Sequence, residues 1–118
     1  MGASIQIDDR AAKEIRKLPA GLKADFVKLM KMVQQVGLRE LPARRVKHMG
    51  TDGLLEFRMS KNNMEGRALF VQQPGEELVI LSAFQKKTQQ TPVAEMKKAK
   101  GRLSEFKRDL TCPSPLTI

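Results

Sequence analysis

Tryptophan and tyrosine are absent from this 118-residue sequence, and phenylalanine occurs five times. That composition excludes a platform on which many bases stack in succession, because each base needs an aromatic face of its own. Cysteine occurs once, as Cys112 beside Pro113, so no internal disulfide can form. Histidine is also single, at His48, and one Cys with one His cannot supply the ligand set of a zinc site. No apolar run approaches the roughly 18 residues of a membrane helix. The N-terminus alternates Ser4, Ile5, Gln6 and Ile7 and then turns acidic at Asp8 and Asp9, unlike a secretory leader. These absences predict a cytoplasmic chain with no membrane segment, no metal and no cofactor.

Positive charge is what the sequence has in excess. Lys and Arg number 22 against 13 Asp and Glu, a formal net charge of +9. A field of that sign concentrates polyanions near the surface and favours phosphate contacts through counterion release. With so few aromatic rings, charge rather than stacking must dominate any such binding. The hydrophobic share of 41% suffices for one core. The expected organisation is a single domain over residues 1–110, followed by a tail over 111–118 rich in Thr, Ser and Pro.

Ile5 and Ile7 predict a short first strand, and Asp8 or Asp9 can cap the helix that follows by accepting its free amides. Ala11, Ile15 and Leu18 share one face of that helix before Pro19 interrupts it. Leu22, Phe26, Leu29, Met30, Val33 and Val36 form the stripe of a second helix from Ala20 to Val36, ended by Gly37. The period then drops to two. Strands are predicted at Arg45–Met49, Leu54–Ser60, Arg67–Gln73 and Leu78–Phe84, with turns at Gly50–Gly53, Lys61–Asn63 and Pro74–Gly75. The last strand is apolar on both faces, the mark of an inner strand covered on both sides. Thr91 as N-cap and Pro92 at the first position open a final helix, whose seam is Met96, Ala99, Leu103, Phe106 and Leu110. Its basic residues Lys97, Lys98, Lys100, Arg102, Lys107 and Arg108 read as a solvated face or one that rests on ribosomal RNA.

Helices and strands segregated in this way predict an α+β fold with a mainly antiparallel sheet of four to five strands. The helices are expected on one face, over Leu55, Phe57 and Met59. The face carrying Glu56 and Arg58 is then left partly to solvent or a partner.

No catalytic triad, acidic dyad, phosphate loop or metal motif appears. The remaining chemistry lies in basic side chains on strands. Arg58 and Arg67 flank a short turn, and Lys86 and Lys87 end the apolar strand. If that strand neighbours the Arg67 strand, all four cations border one concave surface. Such a surface suits RNA cleavage by the 2′-hydroxyl without a metal, since guanidinium forks match phosphate oxygens. A lysine crowded by cations can also titrate nearer neutrality. Spacing alone leaves an ordinary solvated face as the alternative. His48 and Glu56 are the possible acid–base groups; a structural role for His48 and a cross-strand salt bridge for Glu56 compete with that reading. Arg44, Arg45, Lys47, Lys61 and Phe84 are further candidates for RNA or ribosome contact.

Three blocks carry a resemblance. They are Gly53-Leu54-Leu55-Glu56-Phe57-Arg58, Gly66-Arg67-Ala68-Leu69-Phe70, and Leu81-Ser82-Ala83-Phe84-Gln85-Lys86-Lys87-Thr88 followed by Thr91-Pro92. In order and distance they resemble the HigB-like, phage-associated branch of the RelE/ParE toxin superfamily, over roughly residues 5 to 110. The resemblance implies a compact sheet flanked by helices. It also implies the toxin of a type II toxin–antitoxin pair: a metal-independent mRNA interferase acting on the translating ribosome and neutralised by a cognate antitoxin, expected to be a helix-turn-helix protein. It makes Arg58 and Arg67 phosphate-binding or transition-state groups, with Lys86 and Lys87 lining the same site and Phe84 matching a family aromatic. The chain departs from the family at Leu55, Gly66 and Phe70, where aromatic or tyrosine residues are common. A ParE-like gyrase inhibitor without chemistry, or an inactive basic accessory protein of the same fold, are the alternatives.

Overall fold

Asp8 Oδ1 accepts the amide hydrogens of Arg10 at 2.8 Å and Ala11 at 3.4 Å, and the first helix starts there because two of its orphan donors are satisfied. The computed structural model describes residues 2–50, 52–87, 91–109 and 114–115, with side chains as far as residue 107. In chain order these form β1 (Ser4–Ile7), α1 (Asp9–Arg16), α2 (Ala20–Val36), two short 3₁₀ turns (Leu38–Glu40 and Ala43–Arg45), β2 (Val46–His48), β3 (Leu55–Lys61), β4 (Met64–Gln73), β5 (Glu77–Lys86), α3 (Val93–Asp109) and β6 (Ser114–Pro115). Cys112 and Leu110 lie outside the described residues.

The strand order is β2-β3-β4-β5-β1-β6. β1 runs parallel to β5, and the other pairs are antiparallel, so the sheet is mixed and the fold is α+β. Ser114 and Pro115, in the C-terminal tail, pair with Ile7 and Gln6 at the sheet edge.

One face of the sheet packs under α1 and α2. Leu22, Phe26, Met30 and Val33 join Phe57, Met59 and Phe70 in one core, with the rings of Phe57 and Phe70 stacked 4.0 Å apart. Val36, predicted to continue this stripe, is exposed because it lies at the last turn of α2. The expectation that all helices share this face is corrected. α3 lies on the opposite face, where Ala99 and Leu103 cover Leu54, Leu69, Val71, Val79 and Leu81. The two-sided apolar character of β5 follows from this arrangement: Leu78 and Ile80 belong to one core, Val79 and Leu81 to the other.

Leu81 is the extra residue of a β-bulge. Phe70 pairs with Ile80 and Leu69 with Ser82, so β5 gains one residue on β4. A bulge shifts the alternation of side chains by one. Before it, odd-numbered residues of β5 face α3; after it, Ser82, Phe84 and Lys86 do, matched to Leu69, Arg67 and Glu65.

β1 ends at Ile7, and beyond Ile80 no strand among the described residues pairs with β5 on that side. Two side chains take its place. Glu14 of α1 accepts the Ala83 amide at 3.1 Å, and Arg102 of α3 donates to the Leu81 carbonyl at 2.8 Å. Glu14 and Arg102 also bind each other through two hydrogen bonds of 2.9 and 3.0 Å. Arg102, expected on a solvated face, is thus 10% exposed and joins both helices to the sheet. Burial alone would raise the Glu14 carboxyl, but hydrogen bonds from Arg102, the Ala83 amide and Lys98 outweigh it and hold the group below its ordinary 4.5.

Arg102→Ala should destabilise the fold by about 2–3 kcal/mol, the range for a lost hydrogen bond to a charged group that leaves its partner half-buried; urea unfolding near neutrality measures this. Because the folded carboxyl is depressed, Glu14 adds stability above its ordinary 4.5, and that contribution is lost as pH falls through the folded value. Glu14→Gln should accordingly flatten the acid side of the stability curve. An unchanged acid slope would show that Glu14 is not the group responsible.

Candidate active site

The site begins with a turn. Asn62 and Asn63 adopt positive φ of 51° and 67°, the pairing of a two-residue type I′ hairpin. Asparagine tolerates that region, and the tight turn sets Arg58 of β3 directly opposite Arg67 of β4. Like charges facing one another across a sheet destabilise it. Glu56, on the same face of β3, supplies the compensating charge: its Oε1 lies 3.6 Å from Arg58 Nε and 3.4 Å from Arg67 Nε. These are ion-pair distances without hydrogen-bond geometry at either Nε. The Glu56 side chain is 1% exposed, and Thr91 Oγ1 donates to its Oε2 at 2.5 Å. Thr91, predicted to cap α3 with its hydroxyl, thus uses that hydroxyl to tie the start of α3 to the buried carboxylate.

Arg67 is fixed further. Its Nη1 donates to the Gly66 carbonyl at 2.8 Å and its Nη2 to Glu65 Oε1 at 2.6 Å, leaving the side chain 5% exposed. Arg58 is freer at 36% exposed. Gly66 packs on the opposite face, where a Cβ would lie 3.3 Å from both Leu22 Cδ1 and Met59 Cε. A side chain at this position would press on both, and they would have to give by a few tenths of an ångström.

Beyond the bulge, Lys86 reaches the same face, in register with Glu65. Burial first, and then the Arg67 charge, lower its ammonium below the ordinary 10.5. Arg58, Asn63, Met64, Glu65, Arg67, Gln85, Lys86 and Lys87 line one open cavity of about 650 Å³. A smaller one of about 220 Å³ lies alongside, lined by Arg44, Arg45, Met59 and Ser60 and sharing Arg58, Glu65 and Arg67 as the common wall.

The structure therefore brings together Arg58, Arg67, Lys86 and Lys87, with Glu56 beneath them. Arg44 is exposed beside the smaller cavity, whereas Arg45 is tied to Asp25, which also accepts the Ser60 amide at 2.9 Å. Lys47 is the register partner of Glu56 on the exposed edge strand β2. His48 pairs with Leu55 and so projects to the other face of the sheet, away from both cavities. Lys61 is exposed at the hairpin end beside Gly21. Phe84, opposite Arg67, is half-buried and packs on the core under α3.

Glu65, Asn63 and Gln85 were not anticipated. Beginning β4 at Arg67 leaves Glu65 in a turn; a strict two-residue Asn-Asn turn starts β4 at Met64 and places Glu65 on the Arg67 face. Among the described residues no three His, Cys, Asp or Glu side chains group as metal ligands, and no helix is long and apolar enough to cross a membrane.

The family model described as phage-derived protein Gp49-like (DUF891) matches residues 13–104. The free-state structure of a mutant of the E. coli toxin RelE superposes with a TM-score of 0.57, at 17% identity, over 89% of this chain and 97% of that one. At that identity the likeness establishes a shared fold. No curated protein matches the sequence.

Removing Arg67 leaves Glu56 buried without its most enclosed cation, so Arg67→Ala should cost on the order of 3–5 kcal/mol. Arg58→Ala, at a half-exposed pair, should cost less than about 1 kcal/mol. Replacing Glu56 and Arg67 together by apolar residues of similar volume should recover most of the loss in urea unfolding. Equal costs for the two single variants would refute the unequal roles assigned to them.

Proposed function

The chain belongs to the phage-derived Gp49-like family, and on that footing we propose that it is the toxin of a type II toxin–antitoxin pair. Its activity is metal-independent endonucleolytic cleavage of mRNA on the ribosome, in the cytoplasm, held in check by a cognate antitoxin of the helix-turn-helix kind. The observation that carries this reading is the convergence of Arg58, Arg67, Lys86 and Lys87 on one open cavity in a fold shared with a RelE toxin.

The chemistry follows from the substrate. RNA carries its own nucleophile in the 2′-hydroxyl, so the protein has to align it, offset charge on the non-bridging oxygens and move two protons. Arg58 presents a half-exposed guanidinium for those oxygens, and Arg67 adds a fixed charge behind it. Preorganised donors of this kind supply about 3 kcal/mol each. Lys86, with its ammonium lowered by burial and by Arg67, is suited to hand a proton to the departing 5′-oxygen. Lys87 extends the positive wall along the strand.

Induced expression should arrest growth, and primer extension on ribosome-bound message should map new 5′ ends. Lys86→Ala and Arg58→Ala should lower the single-turnover cleavage rate by about 100-fold or more while melting temperatures stay near that of the unaltered chain. Undiminished cleavage by both variants would remove the cavity from the mechanism. Arrest of DNA replication with messages intact would replace this reading with that of a gyrase inhibitor.

A further inference from the structure

Cleavage by a neighbouring hydroxyl needs an acceptor for the hydroxyl proton as well as a donor for the leaving oxygen. The acceptor must be unprotonated, reachable and close to the phosphate. His48 is on the wrong face of the sheet. Glu56 meets the phosphate-binding cations from below, but it is 1% exposed and engaged by Thr91, Arg58 and Arg67. Glu65 is the carboxylate among the described residues lining the main cavity, and it lines the smaller cavity too. Its side chain is 58% exposed, its Oε1 accepts from Arg67 Nη2 at 2.6 Å, and Lys86 stands across from it in register.

We propose that Glu65 is the general base: its carboxylate takes the 2′-hydroxyl proton of the nucleotide whose phosphate lies against Arg58 and Arg67. The proposal rests on the RNA-cleaving reading above. The 2′-oxygen forms a bond to phosphorus, and the bond from phosphorus to the 5′-oxygen breaks. A proton from Lys86 Nζ goes to that 5′-oxygen. The products are a 2′,3′-cyclic phosphate and a 5′-hydroxyl end, with Glu65 protonated and Lys86 neutral until solvent restores both. The phosphate competes with Glu65 for Arg67 Nη2, and the exposed carboxylate is free to turn towards the sugar as the phosphate binds.

The charged groups facing Glu65 are Arg67 on its own strand, Lys86 from β5 and Arg58 from β3, with Arg44 and Arg45 across the smaller cavity. The Arg67 hydrogen bond, followed by its charge, holds the Glu65 carboxyl below the ordinary 4.5, so the base is ionised throughout the neutral range. The competing role is a cover, a carboxylate that occupies the phosphate position on Arg67 and must be displaced. The two roles differ in sign, because removing a cover speeds the reaction and removing a base slows it.

The test is single-turnover cleavage of ribosome-bound message by the full chain, as Glu65→Gln and Glu65→Asp beside the unaltered protein, across the acid-to-neutral range. Affinity for a 2′-O-methyl message, which cannot be cut, is measured in parallel. Glu65→Gln should lose about 100-fold or more in rate and flatten the acid side of the profile, and it should bind the uncuttable message at least as well. Glu65→Asp should retain part of the rate. Glu65→Gln cutting as fast as the unaltered chain or faster would overturn the proposal while leaving the RNA-cleaving reading intact, as would a rate loss matched by a loss of binding. Absence of cleavage by the unaltered protein would overturn both.

Discussion

A carboxylate that is 1% exposed survives inside a protein only if cations and hydrogen-bond donors converge on it, because desolvating an unpaired charge costs several kcal/mol. Glu56 meets that condition with Arg58, Arg67 and the Thr91 hydroxyl, and each partner arrives from a different part of the chain. The arginines come from β3 and β4, which the Asn62–Asn63 turn sets in register, and Thr91 comes from the entry to α3. Without Glu56 the two guanidiniums would face each other across the hairpin with the exposed Glu65, bound to Arg67, left to offset them. With Glu56 they are held side by side at the mouth of a cavity, Arg67 fixed further by the Gly66 carbonyl and Glu65 while Arg58 stays freer. The buried carboxylate is thus a constraint on the fold that joins β3, β4 and the entry to α3.

The remaining cations depend on a second constraint, the register of β5. The bulge at Leu81 brings Phe84 and Lys86 to the face that Arg58 and Arg67 occupy; in an unbroken alternation continuing Val79 and Leu81, Lys86 would point to the other side. The bulge lies where β1 has ended, and there Glu14 and Arg102 supply the acceptor and the donor that a neighbouring strand would have provided. A sheet edge with unmet backbone groups would be open to slippage and to pairing with another chain. The clamp therefore acts on Lys86 at a distance of several residues, by keeping the strand in the register that aims it.

Much of this was legible in the residues. The span of α2 from Ala20 to Val36 was marked by Pro19, an unbroken apolar stripe and Gly37, all of which are local signals. The convergence of Arg58 and Arg67 followed from a hairpin, also local. The side on which α3 packs was not legible, because its seam of Ala99 and Leu103 would fit either apolar face of β5. The fate of Arg102 was hidden for a similar reason: on a helix with many lysines and arginines, nothing in the spacing separates the one that turns inward. Glu65 was missed through a strand boundary, since a shift of three residues at the start of β4 decides whether it stands in a turn or on the arginine face. Thr91 carried a correct signal for the start of a helix, but its hydroxyl answered a stronger demand from Glu56.

The net charge of +9 pointed towards a polyanion, yet the excess is not spread evenly. Arg10, Arg45, Lys98 and Arg102 are each within ion-pair distance of a carboxylate that also binds backbone amides, namely Asp8, Asp25 and Glu14. Around the main cavity, four cations face Glu65 alone among the lining residues. The crowding there has two effects. It deepens the positive potential of the cavity, and it adds to the desolvation that lowers the Lys86 ammonium. Salt separates the two effects. Mobile ions screen the long-range field over about 10 Å, whereas the desolvation that leads the Lys86 shift is a local effect. The field around the cavity therefore depends on the solvent as well as on the charges, and the surroundings of Lys86 on the register of the strands beneath it.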